Sequence, residues 1–167
     1  MTENHTQSIE IRKFIKDDAE VVKRIINEVM HSRYADILGH FPLNDLENIS
    51  DYYGKAGEAF FVAVIEEKII GSIGVKREDD RTALIRRIFV SPEVRGRQLG
   101  RNLLKKALDF CREVGYQEVV FKTTSKMDDA VKLFEKNGFH EKAHLKLGNV
   151  ELYKLTYFLK ENSAFSR

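Results

Sequence analysis

The chain has 167 residues, 43% hydrophobic and 32% charged, with 28 Lys and Arg against 26 Asp and Glu for a formal net charge of +2. That length suits a single domain over residues 1–167, and so balanced a charge makes no global demand for nucleic acid or an anionic membrane. A single cysteine excludes a disulfide framework, no apolar run nears the roughly 18 residues that span a bilayer, and the polar start Met1 to Ser8 is not a signal peptide, so a reduced, cytoplasmic protein is expected.

Ser8 to Phe14 alternates apolar and polar residues, as a half-buried strand does. Asp17 and Asp18 offer an N-cap to a helix whose Ala19, Val22, Ile25, Ile26, Val29 and Met30 form one stripe. His31 to Pro42 is irregular, and Leu43 to Tyr53 reads as a second short helix ended by Gly54. Ala59 to Ile65 and Ile69 to Lys76 read as antiparallel strands around the turn Glu66-Glu-Lys68. A polar turn over Glu78 to Arg81 leads to a strand over Thr82 to Val90. Leu99, Leu103, Ala107, Phe110, Cys111 and Val114 mark a helix closed by Gly115, and Gln117 to Thr124 is the next strand. Strand–helix–strand here implies a parallel crossover. Asp128 to Asn137 reads as a short helix with Gly138 just past its end, and Phe139 to Leu147 with Val150 to Leu159 as a terminal hairpin around Gly148-Asn149. Residues 1–7 and 161–167 are expected to fray. The order gives an α/β (α+β) fold: a mixed sheet of about seven strands with about four helices.

The junction after the strand Thr82 to Val90 carries the chemistry. Ser91-Pro92 leads into Arg95-Gly-Arg-Gln-Leu-Gly100 and then the long helix. The first amides of a helix have no intrahelical partner, so they converge on one spot, and Arg95, Arg97 and Arg101 add positive charge there. Gly96 and Gly100 lack a Cβ and let the backbone approach an anion. An ordinary βα turn with solvated arginines has the same composition. The loop is not a P-loop, since Gly-Lys-Ser/Thr is absent, and its two glycines lack the Rossmann spacing. The Cys and His residues are scattered and offer no metal-ligand spacing.

Arg95-Gly-Arg-Gln-Leu-Gly100, after Phe89-Val90-Ser-Pro92, resembles the acetyl-CoA loop of the GCN5-related N-acetyltransferase (GNAT) family, written Arg/Gln-x-x-Gly-x-Gly/Ala. Ala130-Val-Lys-Leu-Phe-Glu-Lys-Asn-Gly-Phe139 resembles a second family segment, Ala-x-x-Leu-Tyr-Glu-Lys-x-Gly-Phe. The order of elements also matches over nearly the whole chain. The resemblance implies a sheet splayed at its centre, with the pantetheine arm of acetyl-CoA lying in the gap. It implies that the backbone of Ile88, Phe89 and Val90 bonds the pantetheine amides, and that the Val90 amide is the oxyanion donor. Arg95, Gly96, Arg97, Gln98, Leu99, Gly100 and Arg101 would hold the pyrophosphate, with Phe134 also against the cofactor. Lys126, Lys132 and Lys136 are candidates for the adenosine 3′-phosphate, or simply solvated charges.

Three residues depart from the family pattern. Gln98 stands where a glycine is usual and is expected to be already helical with its side chain outward. Phe134 replaces the Tyr that commonly protonates the departing thiolate. Leu84 is the nearest match to a Glu that acts as base. A thiol pKa of about 8.5 makes the thiolate a tolerable leaving group, whereas deprotonating an amine of pKa about 10.4 near neutrality costs roughly 4 kcal/mol, so a base matters more than an acid. Glu58, Glu78, Asp79, Glu141, Glu151, His40 and His144 are open candidates for the base, with Glu151 named first, and Tyr153 is a candidate replacement acid. Cys111 shares the apolar face of its helix and reads as a buried hydrophobe.

The resemblance implies an N-acetyltransferase that moves acetyl from acetyl-CoA to a primary amine, small-molecule or peptide, by direct attack in a ternary complex without a metal. Leu84 and Phe134 keep open an alternative, a CoA-binding sensor with little catalysis. The seven basic residues between Arg86 and Lys106 raise a weaker third reading, a nucleic-acid patch, although CoA phosphates explain the loop arginines more simply. Dimers are common among look-alikes, so a homodimer is a further expectation.

Overall fold

The alternating segments of the sequence become strands of one mixed sheet. A computed structural model describes residues 8–40, 42–94 and 98–159. Its strands are β1 (Glu10–Lys13), β2 (Ala59–Ile65), β3 (Lys68–Arg77), β4 (Thr82–Val90), β5 (Glu118–Thr124), β6 (His140–Leu147) and β7 (Val150–Phe158). Its helices are α1 (Ala19–Arg33), α2 (Ile49–Tyr52), α3 (Leu99–Val114) and α4 (Asp128–Lys136), with 3-10 turns including Ala35–His40 and Asn44–Asn48. The strands lie in the order β1-β2-β3-β4-β5-β7-β6. The β4–β5 pair is parallel and is joined by α3, as the crossover rule requires. Among the described residues, no helix is long and apolar enough to cross a membrane.

Side-chain alternation builds a core on each face. Phe61, Ala63 and Ile65 of β2 pack with Leu103, Ala107 and Cys111 of α3 and Phe134 of α4. Their neighbours Phe60, Val62 and Val64 pack with Val22, Ile26 and Met30 of α1 and Tyr53 just after α2. The sheet is therefore a partition with α1 and α2 on one side and α3 and α4 on the other.

One irregularity in β4 positions the site. The strand pairs with β3 at Ser72↔Phe89 and Gly74↔Arg86, so Arg87 and Ile88 together face the single residue Ile73. This is a β-bulge: Arg87 has φ +55°, and its carbonyl accepts from the Ser72 hydroxyl at 2.8 Å. The bulge resets the alternation. Ala83 and Ile85 enter the core on the α3 face, and one step late Ile88 and Val90 return to it. Arg86 and Arg87, consecutive in sequence, consequently both turn to the α1 face.

Three local expectations are corrected. Asp18 makes no side-chain cap on α1; it accepts from the Ile15 amide at 2.9 Å and takes a two-pronged pair with Arg12 at 2.8 and 3.0 Å. The pull of Arg12 draws it back toward β1, away from the helix. The single helix expected over Leu43 to Tyr53 is a 3-10 turn followed by one α-turn. The third is Gln98, which is not helical (below).

Candidate active site

The gap in the sheet opens where β4 and β5 part. They are paired only from Thr82↔Glu118 to Ile85↔Phe121, although β4 continues beside β3 to Val90 and β5 beside β7 to Thr124. A cleft of about 1120 Å³ fills the divergence. Its floor is β4 from Leu84 to Val90, one mouth lies between the start of α3 and α4, and the other lies against Val29, Met30, Arg33 and Tyr34 on the α1 side. Six cationic side chains line it (Arg33, Arg86, Arg87, Arg101, Lys122, Lys136), and among the described residues Asp129 is the one carboxylate that does.

Backbone groups face this cleft from two directions. Ser91 donates its amide to Ile70 O at 2.8 Å, on the β3 side. Successive amides of a strand point to opposite edges, so the Val90 amide points into the gap. At the other wall, the first bond of α3 runs from Asn102 N to Gln98 O at 3.0 Å, which leaves the amides of Leu99, Gly100 and Arg101 without an intrahelical acceptor. Gly100 fits tightly: a Cβ there would lie 3.1 Å from Leu133 Cδ2 and 3.9 Å from Val90 Cγ2. Gln98 is exposed and left-handed at φ +56°, the conformation that explains why a glycine suits this position. Ile88, Phe89, Gln98, Leu99 and Arg101 all line the cleft, and of the three candidate lysines Lys136 does. Arg95, Gly96 and Arg97 lie outside the described residues.

A buried network forms the α1-side wall. Arg87 holds Asp45 with two bonds, Nε to Oδ2 at 2.9 Å and Nη2 to Oδ1 at 2.6 Å, and donates to the Pro42 carbonyl at 2.7 Å. The Tyr53 hydroxyl donates to the same Asp45 Oδ2 at 2.7 Å. Burial alone would raise the Asp45 carboxyl; the hydrogen bonds and charge of Arg87, with Tyr53 and Arg86, outweigh it and hold the group below the ordinary carboxylate range. Burial and the adjacent Asp45 push the Tyr53 hydroxyl far up, so it stays protonated.

The chain matches the acetyltransferase (GNAT) family over residues 24–139. It belongs to that family. It is 33% identical over 113 residues to N-acetyltransferase 8B of Homo sapiens, covering 65% of this chain and 49% of that one. To the N-acetylaspartate synthetase of Danio rerio it is 34% identical over 113 residues, 66% of this chain and 38% of the other. The chain thus spans half or less of the length of these relatives. Among solved structures, an acetyltransferase of the GNAT family from Staphylococcus aureus shares the fold with a TM-score of 0.76 at 24% identity, covering 92% of this chain and all of that one. The structure of yncA from Salmonella typhimurium with its cofactor acetyl-CoA shares it at 0.75 and 23% identity, over 93% of this chain and 96% of that one.

Against this GNAT frame, several sequence candidates fall elsewhere. Phe134 does not line the cleft: it is fully buried, stacked on Phe121 at 3.9 Å and edge-on to Phe139 at 4.8 Å. Tyr153 and Glu151 do not line it either; the Tyr153 hydroxyl donates to Glu151 at 2.5 Å, and that bond pushes Tyr153 up to about 12 and holds Glu151 down. Such a pair makes a poor acid and a poor base. His144 joins it on the hairpin, 3.2 Å from Glu141 and 3.7 Å from Glu151. Glu58 pairs with Lys76 at 2.9 Å and Glu78 with Lys122 at 3.4 Å, Asp79 accepts from the Arg81 amide at 2.8 Å, and the side chain of His40 lies outside the described residues. Cys111 is wholly buried, and burial pushes its thiol up to about 12. By sequence, Arg86 and Arg87 fall in a basic stretch and Tyr53, by resemblance, in a helical region bordering the acceptor, but they are not joined there with Asp45; the signal for the cluster is two adjacent arginines in an otherwise apolar strand.

Proposed function

We propose that this GNAT protein is an acetyl-CoA-dependent N-acetyltransferase that moves an acetyl group to a primary amine by direct attack in a ternary complex. One observation carries the reading: β4 keeps its bonds to β3 up to Val90 while β5 leaves after Ile85, so amides of β4 face an open, cationic cleft that passes from one side of the sheet to the other. The residues fit acetyl-CoA as co-substrate. Ile88 to Val90 offer backbone groups to the pantetheine, and Leu99, Gly100 and Arg101, with the sequence-assigned Arg95, Gly96, Arg97 and Gln98, offer amides and charge to the pyrophosphate. The amine would enter from the α1 side.

In the transfer, the amine nitrogen bonds to the thioester carbonyl carbon, the carbon–sulfur bond breaks, CoA departs as thiolate and the amine proton passes to solvent. The Val90 amide stabilises the carbonyl oxygen as it gains charge. No side chain among the described cleft residues has the disposition of a general base, since Asp129 pairs with Arg33 at 3.6 Å. Positioning supplies most of the catalysis, and the neutral amine is drawn from solution. The rate should therefore rise with pH between 7 and 9. A cytoplasmic location goes with this reading, supported by the single, buried cysteine.

Calorimetry with CoA and thiol release on a panel of amines test it. Gly100→Glu, which places bulk and negative charge beside Leu133 and Val90, should abolish CoA binding; unchanged affinity would refute the placement of the pyrophosphate. Tight CoA binding with no turnover of any amine from pH 7 to 9 would favour the second reading, a CoA-binding sensor, which Leu84 on the cleft floor in place of a base, and Phe134 buried away from the cleft in place of an acid, motivate.

A further inference from the structure

Among the described residues, the charges on the α1 side of the cleft do not balance. Arg87 takes Asp45 with two bonds, and Tyr53 takes a further lone pair of the same carboxylate. Lys76 is balanced by Glu58 at 2.9 Å. Arg86 is left over: it approaches Asp45 only to 4.0 Å, and its hydrogen bond, at 2.6 Å, goes to the neutral hydroxyl of Tyr52. Its guanidinium lies 5.4 Å from the Tyr52 ring centroid, and the Lys76 ammonium lies 4.2 Å from the same centroid. Two guanidinium groups and one carboxylate thus meet at the cleft floor, and the surplus charge is partly buried, its side chain 23% exposed. A cation partly withdrawn from water with only a distant, shared counter-charge is costly, and a planar guanidinium matches a carboxylate in shape as well as in charge.

We infer that Arg86 is a carboxylate subsite for the acceptor, and that the acceptor amine belongs to the amino-acid class rather than to the polyamines or lysine-rich peptides. The inference rests on the acetyl-transfer reading for the role of the cleft. Six of the described side chains lining the cleft are cationic, and the sole carboxylate among them, Asp129, is already paired with Arg33. A site for a polycation would need the opposite sign. The bulge is what makes the subsite: without it, Arg86 and Arg87 would face opposite sides of the sheet, and the ion pair that orders the wall would not lie beside the surplus cation.

The test separates binding from turnover. Free amino acids, their carboxamides and spermidine are titrated calorimetrically into the full chain loaded with CoA. At least one amino acid should bind, on the order of ten- to a hundred-fold more tightly than its own amide, as expected for the loss of a charge-assisted hydrogen bond. Arg86→Gln should erase that difference, with its CoA affinity serving as the check on folding. Equal binding of acid and amide by the wild type, preference for spermidine, binding of no amino acid, or discrimination that survives in Arg86→Gln would each overturn the subsite. Thiol release is read separately on the same compounds. Carboxylate-dependent binding without any thiol release would sink acetyl transfer and keep the subsite, whereas turnover indifferent to the carboxylate would keep transfer and sink the subsite.

Discussion

Gln98 pays a conformational penalty at the edge of the cleft. Its φ of +56° lies in the left-handed region, where a side chain with a Cβ costs roughly 1 kcal/mol that glycine avoids. Gln98→Gly should therefore raise stability by about 1 kcal/mol or less, after the larger entropy loss of glycine, as measured by urea unfolding of the ligand-free protein. Phe134 makes the contrasting case. Stacked on Phe121 and wholly buried, it serves the core, so Phe134→Ala should cost the ligand-free protein about 3–5 kcal/mol in the same assay. A residue that merely touched the cofactor would leave that value unchanged. The sequence marks Phe134 by its motif position, and a motif says which helix a residue sits on but not how deeply that helix packs. Tyr153 and Glu151 escaped a correct reading for a similar reason: two residues apart on β7, they share a face and satisfy each other. Gly115 and Gly138, by contrast, were legible, and their φ values of +99° and +94° show why only glycine ends those helices at no cost.

Strands and long helices were legible because burial imposes a pattern: β2 is a continuous apolar run buried on both faces, and α3 begins and ends where its apolar stripe does. The segment between α1 and β2 was less so, because 3-10 turns impose no such period and its order comes from the Arg87–Asp45 pair 42 residues away in sequence. The bulge in β4 was legible in principle. Ala83 and Ile85 keep a spacing of two, and Ile88 and Val90 keep it again one residue out of phase. Ignoring that step hides the site, since a regular strand would send Arg87 into the α3-side core. The Ser72 hydroxyl, buried and bonded to the Arg87 carbonyl, stabilises the extra residue. Ser72→Ala should cost about 1 kcal/mol by denaturant unfolding, and an unchanged midpoint would mean that β3 and β4 hold the bulge without it.

At the scale of the whole molecule, the Asp45–Arg87 pair ties the connection after α1 to the centre of the sheet, and through it the wall of the cleft to the strand that offers its amides. The tie should fail in acid. The folded Asp45 carboxyl lies below its ordinary value: burial opposes its charge, but Arg87, Tyr53 and Arg86 together more than compensate. A depressed folded value means that the ionised group stabilises the fold fully above the unfolded value, about pH 4, and that this contribution drains away as the pH falls through the lower folded value. Asp45→Asn should accordingly be markedly less stable than the wild type at pH 7, because it leaves Arg87 buried without its counter-charge. As the pH falls below about 4 the wild type loses what the variant has already lost, so the gap between their urea midpoints should narrow. Asp18, lowered in the same way by Arg12 against its own burial, is present in both proteins and cancels from the comparison. A gap that stayed constant down to pH 2.5 would show that the charge on Asp45 does not join the α1-side wall of the cleft to β4, and that the connection is held by the packing of Leu46, Ile49 and Tyr53 against Phe60 and Met30 instead.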